Sequence, residues 1–342
     1  MMRLMGETMR SILSLMAALI VGLGATGASA QTKEVTFAYQ DMLDPYRTLI
    51  DAHAIEKATG YTINWRQFGG GGDVIRGMAS GAVEVGEVGS AAAAAAVSQG
   101  MDLEVFWILD DINQAEQLVA RDGSGISSLA DLKGKRVATP FVSTSHYSLL
   151  TALGKAGVDP KSVRLLNMRP PEIAAAWARG DLDAAFIWDP VLSKIKTNGK
   201  VILSAGDVGA PTFDAMMVNR SWAAKNKEFM VTLVTMMAKA DAAYRDNKAA
   251  WTASSPEVQA VAKVSGANPS DVPAAMAAYS FPTLQQQASA TWLGGGKDGG
   301  AVRALRSTAE FLKAQGSISA LAPDYSEYVT PIYVDAALKA SQ

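Results

Sequence analysis

Between residues 35 and 109 apolar runs of two lengths alternate, and this alternation constrains the fold more than any other feature. VTFAY (35–39), YTINWRQF (61–68), VEVGEVG (83–89) and LEVFWIL (103–109) are short and read as strands. Between them PYRTLIDAHAIEKATG (45–60), DVIRGMASG (73–81) and SAAAAAAVSQG (90–100) read as helices. Pro45 stands near a helix start, Gly60 at a stop, and Ser90 at an N-cap. LEVFWIL is apolar throughout, so it is expected to be covered on both faces. The order β-α-β-α-β-α-β predicts a mostly parallel sheet clothed by helices. The pattern then restarts. QLVAR (117–121), KRVATPF (135–141), SVRLLNM (162–168), DAAFIW (183–188), KVILSA (200–205) and AMMVNR (215–220) are further strands. SLLTALGKAG (148–157), PPEIAAAWARG (170–180) and DPVLSKIKTNG (189–199) are the helices among them. From Trp222 onward the chain is nearly all helical.

Two sheets need two cores, and length agrees. The first thirty of 342 residues read as a secretory signal: Arg3 and Arg10, an apolar stretch over 11–24, and Ala-Ser-Ala before Gln31. The start is Met1 or Met9. About 310 residues then remain, more than one core usually serves. No second long apolar run occurs, so a soluble, exported, mature chain is expected. Charge is near balance, with 31 basic and 33 acidic residues interspersed, which argues against a nucleic-acid partner. There is no cysteine and there are two well-separated histidines, His53 and His146, so no zinc or iron–sulfur site is expected.

One corner stands out. PFVSTSHYSLL (140–150) joins a strand to a helix and carries Ser143, Thr144, Ser145 and His146 together. A nucleophile, an anion cradle and an over-decorated cap are the choices. The G-x-S-x-G spacing of a nucleophile elbow is missing. A plain cap needs one hydroxyl. Three hydroxyls and a histidine at a helix N-terminus suit an oxyanion, which the exposed N–H groups and the helix dipole favour. Gly89-Ser90 is a second corner of this type. GGGG (69–72) fits neither a P-loop nor a dinucleotide fingerprint; it is a flexible turn before a helix, or a place where backbone N–H groups approach a ligand. Trp188 ends a strand before Asp189-Pro190, at the sheet edge where open α/β folds bind ligands. Glu116 and Asp214 flank QLVAR and AMMVNR, the two segments expected to connect the lobes, and either faces solvent or lines a cleft between them.

These residues resemble the aliphatic sulfonate, nitrate and taurine substrate-binding family of bacterial ABC importers. The matching pieces are VTFAYQ (35–40), INWRQF (63–68), IRGMASGAVEVGEVGS (75–90), PFVSTSHYSLL, PPEIAAAWARGDLDAAFIW (170–188), GAPTFDAMMV (209–218), FLKAQG and DYSEYV. They cover most of the mature chain. The resemblance implies a two-lobed periplasmic-binding-protein-like (type II) α/β fold with two crossover segments and a C-terminal helical region. Lobe 1 would hold 32–116 plus 217–342, and lobe 2 would hold 117–216. It implies a ligand bearing a sulfonate and an ammonium, taurine in the first place. Another alkanesulfonate, a thiamine precursor or glycine betaine is the alternative. Ser143, Thr144, Ser145, His146 and Ser90 would hold the sulfonate, with Gln40 and Phe141 beside them. Glu116 and Asp214 would hold the ammonium, and Trp188 would pack on the linker between them. The partner would be an inner-membrane ABC permease, the compartment the periplasm, and the state a monomer. The group also resembles a pyrimidine-synthesis enzyme family that uses histidine and iron. This chain lacks the His or Cys cluster that such chemistry needs, so no catalytic residue, cofactor or metal is expected.

Overall fold

A computed structural model describes residues 33–209 and 211–340. The expected signal segment and the two candidate start residues lie outside the described residues. Ten strands form two five-stranded sheets. The first contains β1 (Glu34–Tyr39), β2 (Thr62–Gln67), β3 (Val85–Gly89), β4 (Leu103–Asp111) and β10 (Phe213–Asn219), in the order β2-β1-β3-β10-β4. The second contains β5 (Gln117–Arg121), β6 (Arg136–Thr139), β7 (Arg164–Asn167), β8 (Ala184–Ile187) and β9 (Gly199–Ser204), in the order β7-β6-β8-β5-β9. In each sheet the fourth strand runs against its neighbours: β10 is antiparallel to β3 and β4, and β5 to β8 and β9. The parallel sheet expected from residues 35–109 is therefore split. Its last strand pairs with β10, supplied about a hundred residues later, and not with β3. QLVAR and AMMVNR, read from the sequence as connectors, are these two inserted strands.

Helices cover the first sheet. They are α1 (Arg47–Asp51), α2 (Ala54–Thr59), α3 (Gly71–Ala79) and α4 (Ser90–Ser98). The single helix expected over 45–60 is two, because His53 adopts a left-handed conformation at φ 49° and breaks the hydrogen-bond ladder. Gly60 ends α2 in the same region of φ/ψ space, as a stop should. Every residue of α4 is buried, and its run of alanines lets neighbours approach from all sides. Close approach is enforced again at Gly86, where a Cβ would meet Val74 Cγ1 at 2.6 Å.

The second sheet carries α5 (Thr144–Lys155), α6 (Pro170–Arg179), α7 (Val191–Lys196) and the short α8 (Ala205–Val208). Beyond β10 follow α9 (Arg220–Lys225), α10 (Lys227–Asp246), α11 (Pro256–Ser265), α12 (Val272–Ala277), α13 (Leu284–Ala288), α14 (Gly300–Ala314) and α15 (Ile332–Ala340). Phe229, Leu233, Leu305 and Val334 of this helical region join the core of the first sheet with Phe37, Phe106 and Met216. Val258, Val261, Val272 and Met276 instead share a core with Leu118, Val137 and Phe186 of the second. Each such side chain contributes about 1.5–3 kcal/mol by leaving water.

The chain leaves the first sheet after Asp111, enters the second at Gln117, and returns between Ser204 and Phe213. The two crossings are tied together: Gly206 N–H donates to Asn113 O at 2.6 Å and Ala205 N–H to Glu116 O at 2.9 Å. A third strand of chain joins them, with Asp111 and Ser280 exchanging both backbone hydrogen bonds. Among the described residues, the two sheets are joined through this braid.

Candidate functional site

Three helices start at one cavity. Gly70 caps α3, Gly89 caps α4 and Ser143 caps α5, and neither glycine has a side chain to occupy the first free N–H groups. Gly71, Gly89, Ser143 and Thr144 line the cavity. The three dipoles therefore present partial positive charge to one place. Small residues make this possible: a Cβ on Gly71 would meet the Ala92 Cβ at 2.9 Å. Gln40, Met42 and Trp188 form further wall, and Tyr279 closes it from the C-terminal segment. The cavity's volume is only about 10 Å³, so its walls stand nearly in contact.

The facing wall is acidic. Glu116 and Asp214 both line the cavity and both are buried. Glu116 Oε1 accepts the Thr144 hydroxyl at 2.5 Å, while Oε2 meets no donor among the described residues. Burial pushes Glu116 up to about 7, against the pull of the Thr144 hydroxyl. Asp214 lies between Gly89 and Asp110 in strand register. Burial holds it well above the usual carboxylate range, and the charges of Glu116, Asp44 and Glu87 add to that, with Arg47 opposing. Behind it, fully buried Arg47 pairs with Glu87 at 2.8 Å and Asp44 at 3.1 Å, and Tyr46 bridges Arg47 and Glu87. Asp44, Glu87, Asp110, Glu116 and Asp214 are thus five buried carboxyls beside one buried guanidinium. A cation is what such a wall lacks.

Not every residue expected at the site faces it. Ser143 lines the cavity but its hydroxyl serves as a cap, donating to Pro140 O at 2.6 Å and accepting from His146 N–H at 3.1 Å. Ser145 is fully buried and is not part of the lining. His146 stacks on Phe141, centroids 4.3 Å apart and planes 10° from parallel, and its Nδ1 accepts from Val142 N–H. Burial holds its pKa down at about 4, so it is neutral and brings no positive charge to an oxyanion. Phe141 lines a wider outer cleft with Gly69 and Arg169, where Arg169 bonds Asp73 of α3 at 3.1 Å. Ser90 is spent structurally, accepting Phe213 N–H at 3.4 Å and tying α4 to β10. Gln40 does line the cavity, held by Glu87 through its amide. Trp188 spans the sheets, donating from Nε1 to Asp41 Oδ1 at 3.0 Å. Met42, Ala92 and Tyr279 carry no chemical motif and went unread in the sequence. Gly71 was visible in GGGG as a helix start with approachable N–H groups.

The family described as NMT1/THI5 like matches residues 57–250. The taurine-binding periplasmic protein of Escherichia coli (strain K12) is 36% identical over 319 residues, covering 92% of this chain and 97% of that protein. Among solved structures, the alkanesulfonate-binding protein SsuA from Xanthomonas axonopodis pv. citri bound to MOPS superposes with a TM-score of 0.71 at 23% identity, over 88% of this chain and 97% of that one. The desulfurization enzyme DSZB superposes with a TM-score of 0.63 at 14% identity, over 91% and 100%. At these identities the two structures speak to the fold alone, which is two-lobed.

Proposed function

This chain belongs to the NMT1/THI5-like family, and from that premise we propose that it is the periplasmic solute-binding protein of an ABC importer, with taurine as its ligand. One observation carries the ligand: three helix N-termini and a buried carboxylate wall face each other across a single small cavity. The sulfonate sits at the starts of α3, α4 and α5. The ammonium sits at Asp214, with Glu116 beside it, and Trp188 covers the two carbons between. A quaternary ammonium such as glycine betaine calls for an aromatic cage. Here only Trp188 and Tyr279 are aromatic in the lining, and carboxylates suit a hydrogen-bonding ammonium better.

Binding is by hinge closure. The ligand touches both lobes and so stabilises the closed form by its differential affinity for it. The lobes are read as 32–116 plus 217–342 and 117–216, with two changes: all of β10 belongs to the first sheet, and the segment carrying Val258, Val261, Val272 and Met276 packs on the second. No bond is broken: the Ser143 hydroxyl is committed to Pro140 and the Thr144 hydroxyl to Glu116. Residues 1–30 direct export and are removed. The mature monomer then delivers its ligand to an inner-membrane permease and uses no cofactor, metal or nucleic acid.

Calorimetry of the ligand-stripped mature protein tests this. Taurine is expected to bind at least about tenfold more tightly than ethanesulfonate, which lacks the amine, a difference of about 1.4 kcal/mol or more. Equal affinities would remove the ammonium subsite, and no binding of taurine would overturn the ligand.

A further inference from the structure

Asp214 is backed by a second layer of carboxyls that never reaches the cavity. Asp110 on β4 is its direct cross-strand partner, an arrangement that is unfavourable when both are charged. Asp44 is buried too, and no hydrogen bond among the described residues reaches the carboxyl oxygens of either Asp44 or Asp110. Buried carboxyls without donors are costly to charge and repel one another when charged, so the group favours holding a proton. The surroundings supply no spare cation. Arg47, beside Asp44, is committed to Glu87 of β3 and to Asp44 itself. Asp41 from the same segment, Asp111 on β4 and Glu116 on the first crossing add acid. Tyr46 and, from the C-terminal segment, Tyr279 are neutral neighbours. From α10, Asp241 faces Asp44, with Arg245 near Asp241.

We propose that Asp44, Asp110 and Asp214 share protons in the ligand-free cleft and that the cluster releases one when an ammonium group enters, so that the site takes its cation by exchange. The proposal rests on the taurine assignment above. The balance is simple: an ammonium enters with one positive charge, one proton leaves to the buffer, and the carboxylate left behind neutralises the ammonium. Burial holds all three carboxyls up, Asp44 to about 7, and an adjacent cation pulls them down. The free site then binds more protons than the occupied one, so raising the pH favours binding. Taurine affinity is expected to rise by up to about tenfold per pH unit for one proton released, over the range below the Asp44 value of about 7. A sulfonate without an amine cannot drive the exchange. Asp110 acts through Asp214 and is a positioning residue.

The experiment is calorimetry of the mature protein with taurine and with ethanesulfonate, in buffers of different ionisation enthalpy. The slope of heat against buffer enthalpy counts protons. Release is expected with taurine and none with ethanesulfonate. Asp110→Asn keeps the side chain's volume but cannot hold an exchangeable proton, so it should bind taurine with fewer protons released and a flatter pH profile. A merely structural role would weaken binding at every pH and leave the proton count unchanged. Taurine heats that do not vary with buffer, or equal release with both ligands, would overturn the exchange while leaving taurine as the ligand. Failure of taurine to bind in any buffer would overturn both.

Discussion

Asp214 sits on β10 with Gly89 on one side and Asp110 on the other, one strand away from the start of α4. It is the carboxyl that both lines the cavity and connects to the acids behind it. Replacing it by Asn keeps its volume and removes its charge. Asp214→Asn is expected to weaken taurine by about 2–5 kcal/mol, the usual range when one partner of a buried charged pair is removed. Ethanesulfonate should change little, and calorimetry with both ligands reads the difference; equal losses would show that Asp214 shapes the site without recognising the amine. At this scale the sequence is legible where contacts are local. The corner at Ser143 and Thr144 announces itself because a cap and its helix are neighbours in the chain. The carboxyl layer does not, since Glu87, Asp110 and Asp214 are brought together by strand register and Asp44 joins them from the loop after β1. His146, in the same corner of the sequence, stacks on Phe141, an orientation the sequence does not announce.

Helix starts are the elements that make the anion end. Gly89 keeps α4 close to both lobes: a Cβ there would meet Thr144 Cγ2 at 3.0 Å and Asp214 Oδ1 at 3.2 Å. Its backbone, at φ −71° and ψ 153°, suits alanine. Gly89→Ala should therefore fold normally but wedge the closed form apart, at roughly 1–3 kcal/mol for overpacking. Small-angle scattering at saturating taurine should find the variant more extended than the wild type, with taurine affinity lowered about five- to a hundredfold. Unchanged compaction and affinity would mean that α4 and α5 do not meet on closure. The elements themselves were largely readable, because strand and helix periods are local. Their pairing was not. β10 enters between β3 and β4 from about a hundred residues away, and nothing in AMMVNR distinguishes an inserted strand from a connector.

For the whole molecule, two sheets joined by a braid of crossings have their contacts concentrated at a cleft. Trp188 reaches Asp41, and Arg169 reaches Asp73, from opposite sides of it. Two lobes follow from length and from the restart of the β-α pattern near residue 117. The braid itself is not legible, because Ser280 joins it from the far C-terminal region. The central claim is one of polarity: anion at the helix starts, cation at the carboxyls. A crystal structure of the taurine complex tests it directly. The sulfonate oxygens should lie about 2.7–3.2 Å from backbone N–H groups at the starts of α3, α4 and α5, and the ammonium within the same reach of the Asp214 carboxylate. Taurine found reversed, or bound in the outer cleft beside Phe141 and Arg169, would contradict it.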